Sequence, residues 1–226
     1  MTFSLHLSGL VTEIMSYLLL QIFKKRGINK LTIVLTFLTV ISCNKDDPIP
    51  DNDIDSVIEL GANAKVEIPK RSGPRPETTV NIPHVQIGVK PVSEVNEELF
   101  RRVYSLPGIE NRKSVIAGWR GLWLNEQVTV FVPEATIDGR EFAHIHDDGS
   151  LHIFLDPFRS IEAVDSCWAI FHPFAVQGRE GWDGFVMLYT PQSIEQLNVT
   201  FQLIVDGYNY VTAQNLLATD YYSTDP

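Results

Sequence analysis

The segment from Gly139 to Ile153 reads Gly-Arg-Glu-Phe-Ala-His-Ile-His-Asp-Asp-Gly-Ser-Leu-His-Ile and places His144, His146 and His152 close together. Imidazole is the one side chain whose ordinary pKa lies near neutral pH, and its neutral nitrogens also bind zinc, iron and copper. Three such rings on one surface suit proton transfer or metal ligation. The sequence favours no cofactor. A divalent metal on His144, His146 and His152 is the minor alternative, since no fourth ligand stands nearby in the chain. His172 or Glu141 would have to supply it through folding. A third reading is structural, with rings bonded to backbone or to Asp147 and Asp148.

Whether the rings meet depends on strand register. A two-residue turn at Asp148-Gly149 would oppose Ile145 to His152 and His146 to Leu151, mixing polar and apolar groups on each face. A three-residue loop, Asp147-Asp148-Gly149, opposes His146 to Ser150, Ile145 to Leu151 and His144 to His152. Gly149 then occupies the left-handed position that this loop requires. Ala143, Ile145, Leu151 and Ile153 share the core face, while His144, His146, Ser150 and His152 share the other. The apolar pattern sets register, so the three-residue loop is expected.

A second patch joins His172-Pro173-Phe174 to the glycine-rich Gly178–Gly184 loop, where Trp182 offers a stacking wall for a flat ligand or a core side chain. Arg140 is a candidate to hold an anionic oxygen, and Glu141 to orient a histidine or contact ligand. A surface ion pair is the more ordinary expectation for Glu141. The candidate catalytic set is therefore His144, His146, His152 and Arg140. The candidate ligand-binding set is Trp182, His172, Glu141 and Ser150. Cys167 reads as an inert thiol on the apolar side of a helix.

The elements that must position these residues follow from periodicity. Prolines from Pro69 to Pro91 forbid a helix and predict extended chain over 68–91. Ser93 is placed to cap a helix striped by Val95, Leu99, Val103 and Leu106, which Pro107-Gly108 ends. Strands are expected at 115–124, with Trp119 and Trp123 on one face, and at 142–146, 150–155, 170–174 and 184–189. Segment 128–132 is either a strand or an irregular link. Pro157 opens a helix to Cys167, and Ser193 caps a long one carrying Leu197, Phe201, Ile204 and Tyr208. The fold class is α+β, a single domain with an antiparallel sheet of about five strands and helices packed on one face.

The N-terminus reads as an address. Lys24-Lys25-Arg26 precedes an apolar run from Leu31 to Ile41, then Ser42-Cys43. The run is too short to span about 30 Å of hydrocarbon. Val40-Ile41-Ser42-Cys43 resembles the lipobox of bacterial lipoproteins, which implies lipidation of Cys43, removal of residues 1–42 and attachment to the membrane through that lipid. The expected location is the bacterial cell envelope, at the outer membrane or its surface. Residues 1–23 fit a start codon placed too far upstream. Residues 43–67 read as a flexible linker, 68–214 as the domain and 215–226 as a loose tail.

Composition excludes several classes. The chain has 226 residues, 44% hydrophobic and 20% charged, with a net charge of -10, and loss of residues 1–42 leaves -13. An acidic chain without a basic stripe makes a poor partner for nucleic acid. Two cysteines build neither a disulfide framework nor a four-thiolate zinc site.

Arg75-Pro76-Glu77-Thr78, Pro83-His84-Val85-Gln86, Glu97-Glu98-Leu99, the Gly139–His152 segment and Gly184-Phe185-Val186-Met187-Leu188-Tyr189-Thr190 together resemble the luciferase-domain family over about residues 70–213. That family includes the fungal luciferases and bacterial members. The resemblance implies an oxygenase-like oxidoreductase acting on a small organic substrate. Fungal members oxidise a hispidin-type luciferin with dioxygen, with no metal or organic cofactor established. A tethered protein outside the cytoplasm departs from that pattern, so the alternative is a small-molecule binding lipoprotein without catalysis.

Overall fold

The computed structural model describes residues 66–118 and 120–222, which lie within the unit Gly61–Pro226. Cys43, the signal-like segment and Trp119 fall outside the described residues. The element order is α1 (Ser93–Ser105), β1 (Ile109–Lys113), β2 (Arg120–Leu124), β3 (Glu141–Ile145), β4 (Leu151–Phe154), α2 (Pro157–Asp165), β5 (Ala169–Phe171), α3 (Pro173–Val176), β6 (Phe185–Leu188) and α4 (Ile194–Thr212), with short 3-10 turns at Pro133–Ala135 and Ala218–Tyr221. The strands form one antiparallel sheet in the order β1-β2-β3-β4-β6-β5.

The β3–β4 hairpin adopts the three-residue loop. His144 opposes His152 and Ile145 opposes Leu151. The His146 N–H donates to the Ser150 carbonyl at 2.8 Å, and Gly149 takes φ +82°. Across β4 and β6, Leu151 and Ile153 oppose Leu188 and Val186 on one face, while His152 and Phe154 oppose Met187 and Phe185 on the other. One face is thus aliphatic and the other carries imidazoles and aromatic rings.

The long helix α4 covers the aliphatic face. Ser193 caps it by accepting from the Gln196 N–H, and Leu197, Phe201, Ile204, Tyr208 and Val211 recur at helical spacing and are buried. Gly207 lets α4 approach β4 closely, because a Cβ there would stand 2.7 Å from Ile153 Cδ1 and 2.7 Å from the Phe154 carbonyl oxygen. Helices α1 and α2 flank α4 on this side. Arg102 donates to Asn198, and the buried Arg159 donates through Nε to Asp206 at 2.7 Å.

Several expectations need correction. The sheet has six strands rather than about five: β1, with the sequence Ile-Glu-Asn-Arg-Lys, is almost wholly exposed and shows no apolar alternation. The strand expected over 115–124 begins only at Arg120, and Val115 and Ile116 are exposed in a turn. Segment 128–132 is irregular. The strand expected over 170–174 spans Ala169–Phe171, since Pro173 opens the one-turn helix α3, which His172 caps by accepting from the Phe174 N–H. Helix α1 has Val92 at its cap position without a side-chain cap, while Ser93 donates to Glu97. Cys167 lies beyond α2 rather than on its face. It takes the left-handed C′ position of a Schellman closure, with Trp168 N–H bonded to the Ala163 carbonyl, and its sulfur accepts from Arg75 Nε. No helix among the described residues is long and apolar enough to cross a membrane.

The close α4–β4 approach yields a test. Ala at position 207 gains about 1 kcal/mol of helix propensity but overpacks the interface by about 1–3 kcal/mol. Urea denaturation of Gly207→Ala is expected to show a net loss of stability. A gain would show that the helix stands further from the sheet.

Candidate functional site

The face opposite α4 gathers His84, His144, His146, His152 and His172, all buried at 1–4% exposure. These are all the histidines of the described residues; the sixth in the chain is His6. Strand register brings His144, His146 and His152 together, and chain beyond the hairpin adds the other two. The segment 78–86 folds back on itself as a loop, closed by an antiparallel bridge between Thr78 and Gln86, and carries His84 onto the sheet face. His172 follows β5, and its ring centroid lies 4.9 Å from that of His152.

A β-bulge delivers the carboxylate. On β2, Leu122 opposes Ala143 but Trp123 opposes Glu141, so Phe142 is the extra residue. Phe142 turns toward the helices and packs edge-on against Tyr208. Glu141 turns instead to the imidazole face, as bulges beside functional sites often re-aim side chains. Its carboxylate is fully buried and accepts from Ser114 Oγ at 2.6 Å, Val115 N at 2.8 Å and His144 Nδ1 at 3.2 Å. These donors satisfy an acceptor-only group that burial would otherwise destabilise. Glu141 is therefore no surface ion pair.

The partners assign the tautomers. His144 donates Nδ1–H to Glu141, which leaves the lone pair on Nε2. Ser150 gives its single hydroxyl hydrogen to Asp148 Oδ1 at 2.6 Å and so accepts from His146 Nδ1 at 2.9 Å, placing the His146 lone pair on Nε2. His144 Nε2 stands 3.1 Å from His152 Nδ1, and His152 Nε2 stands 3.0 Å from His84 Nδ1. A continuous chain results, from Glu141 through His144 and His152 to His84, each ring donating from Nδ1. His172 differs. Its Nδ1 accepts from Phe174 N at 3.1 Å, so its hydrogen sits on Nε2.

Four of the rings, His84, His146, His152 and His172, favour the neutral form. Burial, then the neighbouring imidazoles, pushes His146 down to about 3 and His172 down to about 4. The same causes lower His152 well below the usual imidazole range, and burial lowers His84. Neutral imidazoles are competent proton acceptors and metal ligands. Two histidine triads have donor atoms within 4.8 Å of one another, His144–His146–His152 and His84–His152–His172.

The remaining candidates divide. Ser150 belongs to the cluster through His146. Trp182 stacks on His172 with centroids 5.6 Å apart, and Phe174 and Phe185 meet it edge-on. Arg140 does not join the histidines. Its guanidinium donates to the carbonyls of Leu124, Asn125 and Val128 and so pins the chain after β2. His84 and Ser114 carried no assigned role in the sequence. A lone histidine in a proline-rich stretch gives no periodic signal, although Pro83-His84-Val85-Gln86 is among the blocks of the family resemblance. A surface cleft of about 430 Å³, lined by Arg71, Gln86, Lys90, Thr190 and neighbours, contains no histidine. Gln86 Nε2 is buried and has no hydrogen-bond partner among the described residues.

Residues 139–205, which hold the hairpin, His172 and Trp182, match the family model described as Luciferase domain. Luciferases of Armillaria ostoyae, Armillaria gallica and Armillaria mellea are each 28% identical over 169 residues, covering 65% of this chain. The chain spans 62% of the length of these curated relatives. No solved structure matches the chain.

Burial of neutral rings fixes a pH dependence. An imidazole held below its ordinary range binds its proton more readily once unfolded, so acid favours the unfolded chain. Stability is full above about pH 6.5 and falls with decreasing pH. The loss levels off near pH 4 for His172 and near 3 for His146. At pH 5 these two rings alone cost roughly 4 kcal/mol. Denaturant midpoints of chelator-treated protein should drop between pH 7.5 and 5. An unchanged midpoint would contradict the neutral cluster.

Proposed function

We propose that this luciferase-like domain is an enzyme that oxidises a small organic substrate with dioxygen at the histidine cluster, in a protein tethered to the bacterial cell envelope through lipid on Cys43. The observation that supports it is the buried, hydrogen-bonded line of rings from His84 through His152 and His144 to Glu141. A substrate whose carbanion is stabilised by an adjacent carbonyl loses its C–H proton to an imidazole of the cluster. The positive charge is stabilised by the Glu141 carboxylate at the far end of the line. The carbanion then bonds to one oxygen of dioxygen, carbon is oxidised, and dioxygen is reduced to the peroxide level. The terminal oxygen takes the proton back, so the substrate and dioxygen together give the hydroperoxide with no other reactant. The luciferase relatives and the matched family support the oxidative class.

A second reading is non-catalytic binding of a small ligand. It is favoured by the cleft that holds Arg71, Lys90 and Gln86 but no histidine, where Gln86 Nε2 has no hydrogen-bond partner among the described residues. Two cations and an amide donor suit an oxyanion.

Oxygen uptake against a panel of pyrones and phenols separates the two readings. The enzyme reading expects uptake with at least one of them, lowered about 100-fold or more by His152→Ala and by about 10-fold or more by Glu141→Gln. Ligand binding without uptake, unaffected by His152→Ala but weakened by Arg71→Ala, would replace it with the binding reading.

A further inference from the structure

We propose that His144, His146 and His152 form a binding site for one divalent first-row transition-metal ion, oriented by Glu141, Ser150 and His84. The inference concerns the same cluster and rests on the reading above for its catalytic use, though not for the binding itself.

Three features carry it. First, the donor atoms of the triad lie within 4.8 Å of one another, and His144 Nε2 and His152 Nδ1 are already 3.1 Å apart. Two nitrogens each about 2.0–2.1 Å from one zinc ion have nearly that separation. Second, each ligand ring has its other nitrogen engaged, as metal-binding histidines almost always do. His144 donates Nδ1–H to the Glu141 carboxylate, His146 donates Nδ1–H to Ser150 backed by Asp148, and His152 faces His84 through Nε2. Third, metal entry needs no net loss of a proton. The hydrogen between His144 and His152 stands in the way. If His152 and His84 each carry hydrogen on Nε2 instead of Nδ1, the bond between those two rings persists with its direction reversed. The His152 Nδ1 lone pair then joins those of His144 and His146.

The second triad does not qualify. His172 caps α3 by accepting from the Phe174 N–H, so its Nδ1 lone pair is engaged and its Nε2 carries hydrogen. His84 is needed as the partner of His152. One ion per chain follows, rather than two.

Three neutral imidazoles suit Zn²⁺, Cu²⁺, Ni²⁺ or Fe²⁺, and the buried carboxylate behind His144 offsets part of the ion's charge. A three-ligand site keeps a coordination position open, where a substrate oxygen would be polarised.

The test uses the full chain, stripped with chelator, titrated with Zn²⁺ by calorimetry and with Co²⁺ by visible absorption. The expected result is one Zn²⁺ per chain and visible d–d bands from Co²⁺. His144→Ala or His146→Ala should weaken Zn²⁺ binding by about 100-fold or more, and Glu141→Gln or Ser150→Ala by about 10–100-fold. His172→Asn keeps an acceptor for the Phe174 N–H and should leave affinity within about 3-fold. Absence of Zn²⁺ binding by natively folded protein would overturn the proposal. So would two ions per chain, or a loss in His172→Asn as large as that in His146→Ala. The wild-type stoichiometry and the His172 variant decide the matter even if triad variants fail to fold. Metal binding without oxygen uptake on any substrate would leave the site standing and remove the oxidative reading. Oxygen uptake by metal-free protein would leave the oxidative reading standing without the ion, and the Zn²⁺ titration would still decide the site.

Discussion

Strand register in the β3–β4 hairpin is the constraint on which the rest depends. Side chains alternate across a sheet, so a slip of one residue sends an entire set to the other face. Ala143, Ile145, Leu151 and Ile153 are the aliphatic set, and α4 supplies the surface that buries them. Their burial forces His144, His146 and His152 onto the opposite face. The chemistry of that face is thus selected by hydrophobic packing on the other side of the sheet.

The imidazole face must then avoid the cost of buried polar groups. Its solution is directional. Each ring gives or receives a hydrogen bond that fixes its tautomer, and the line terminates in a carboxylate with three donors. The bulge at Phe142 is what allows this, because regular alternation would put Glu141 among the aliphatic side chains beneath α4. Phe154, Phe185 and Trp182 pack around the rings and exclude water, which keeps the imidazoles neutral. The segment bearing His84 and Gln86 contributes to both the cluster and the cleft at Arg71 and Lys90.

The hairpin was legible in the sequence because two independent signals agreed, the apolar alternation and a glycine at the left-handed loop position. The long helix was legible for the same kind of reason, through Ser193 and a stripe of large apolar residues. The strand β1 was not, since a polar edge strand has no buried face to impose a period. The role of Glu141 was hidden by a bulge, which no alternation rule anticipates. His84 was hidden by distance: 60 positions separate it from His144, and only tertiary folding lays its proline-rich segment over the sheet. Arg140 was misleading, because its position beside Glu141 says nothing of the three carbonyls that claim its guanidinium.

The central claim is that the hydrogen-bonded line fixes which nitrogen of each ring donates, with Nδ1–H of His144 on Glu141 and Nδ1–H of His146 on Ser150. Long-range ¹H–¹⁵N correlation NMR of the histidine side chains in metal-free protein at neutral pH reads this directly. The account predicts Nδ1–H for His84, His144, His146 and His152, Nε2–H for His172, and no charge on His84, His146, His152 or His172. Charge on any of those four rings, or an Nδ1 without hydrogen at His144 or His146, would contradict it.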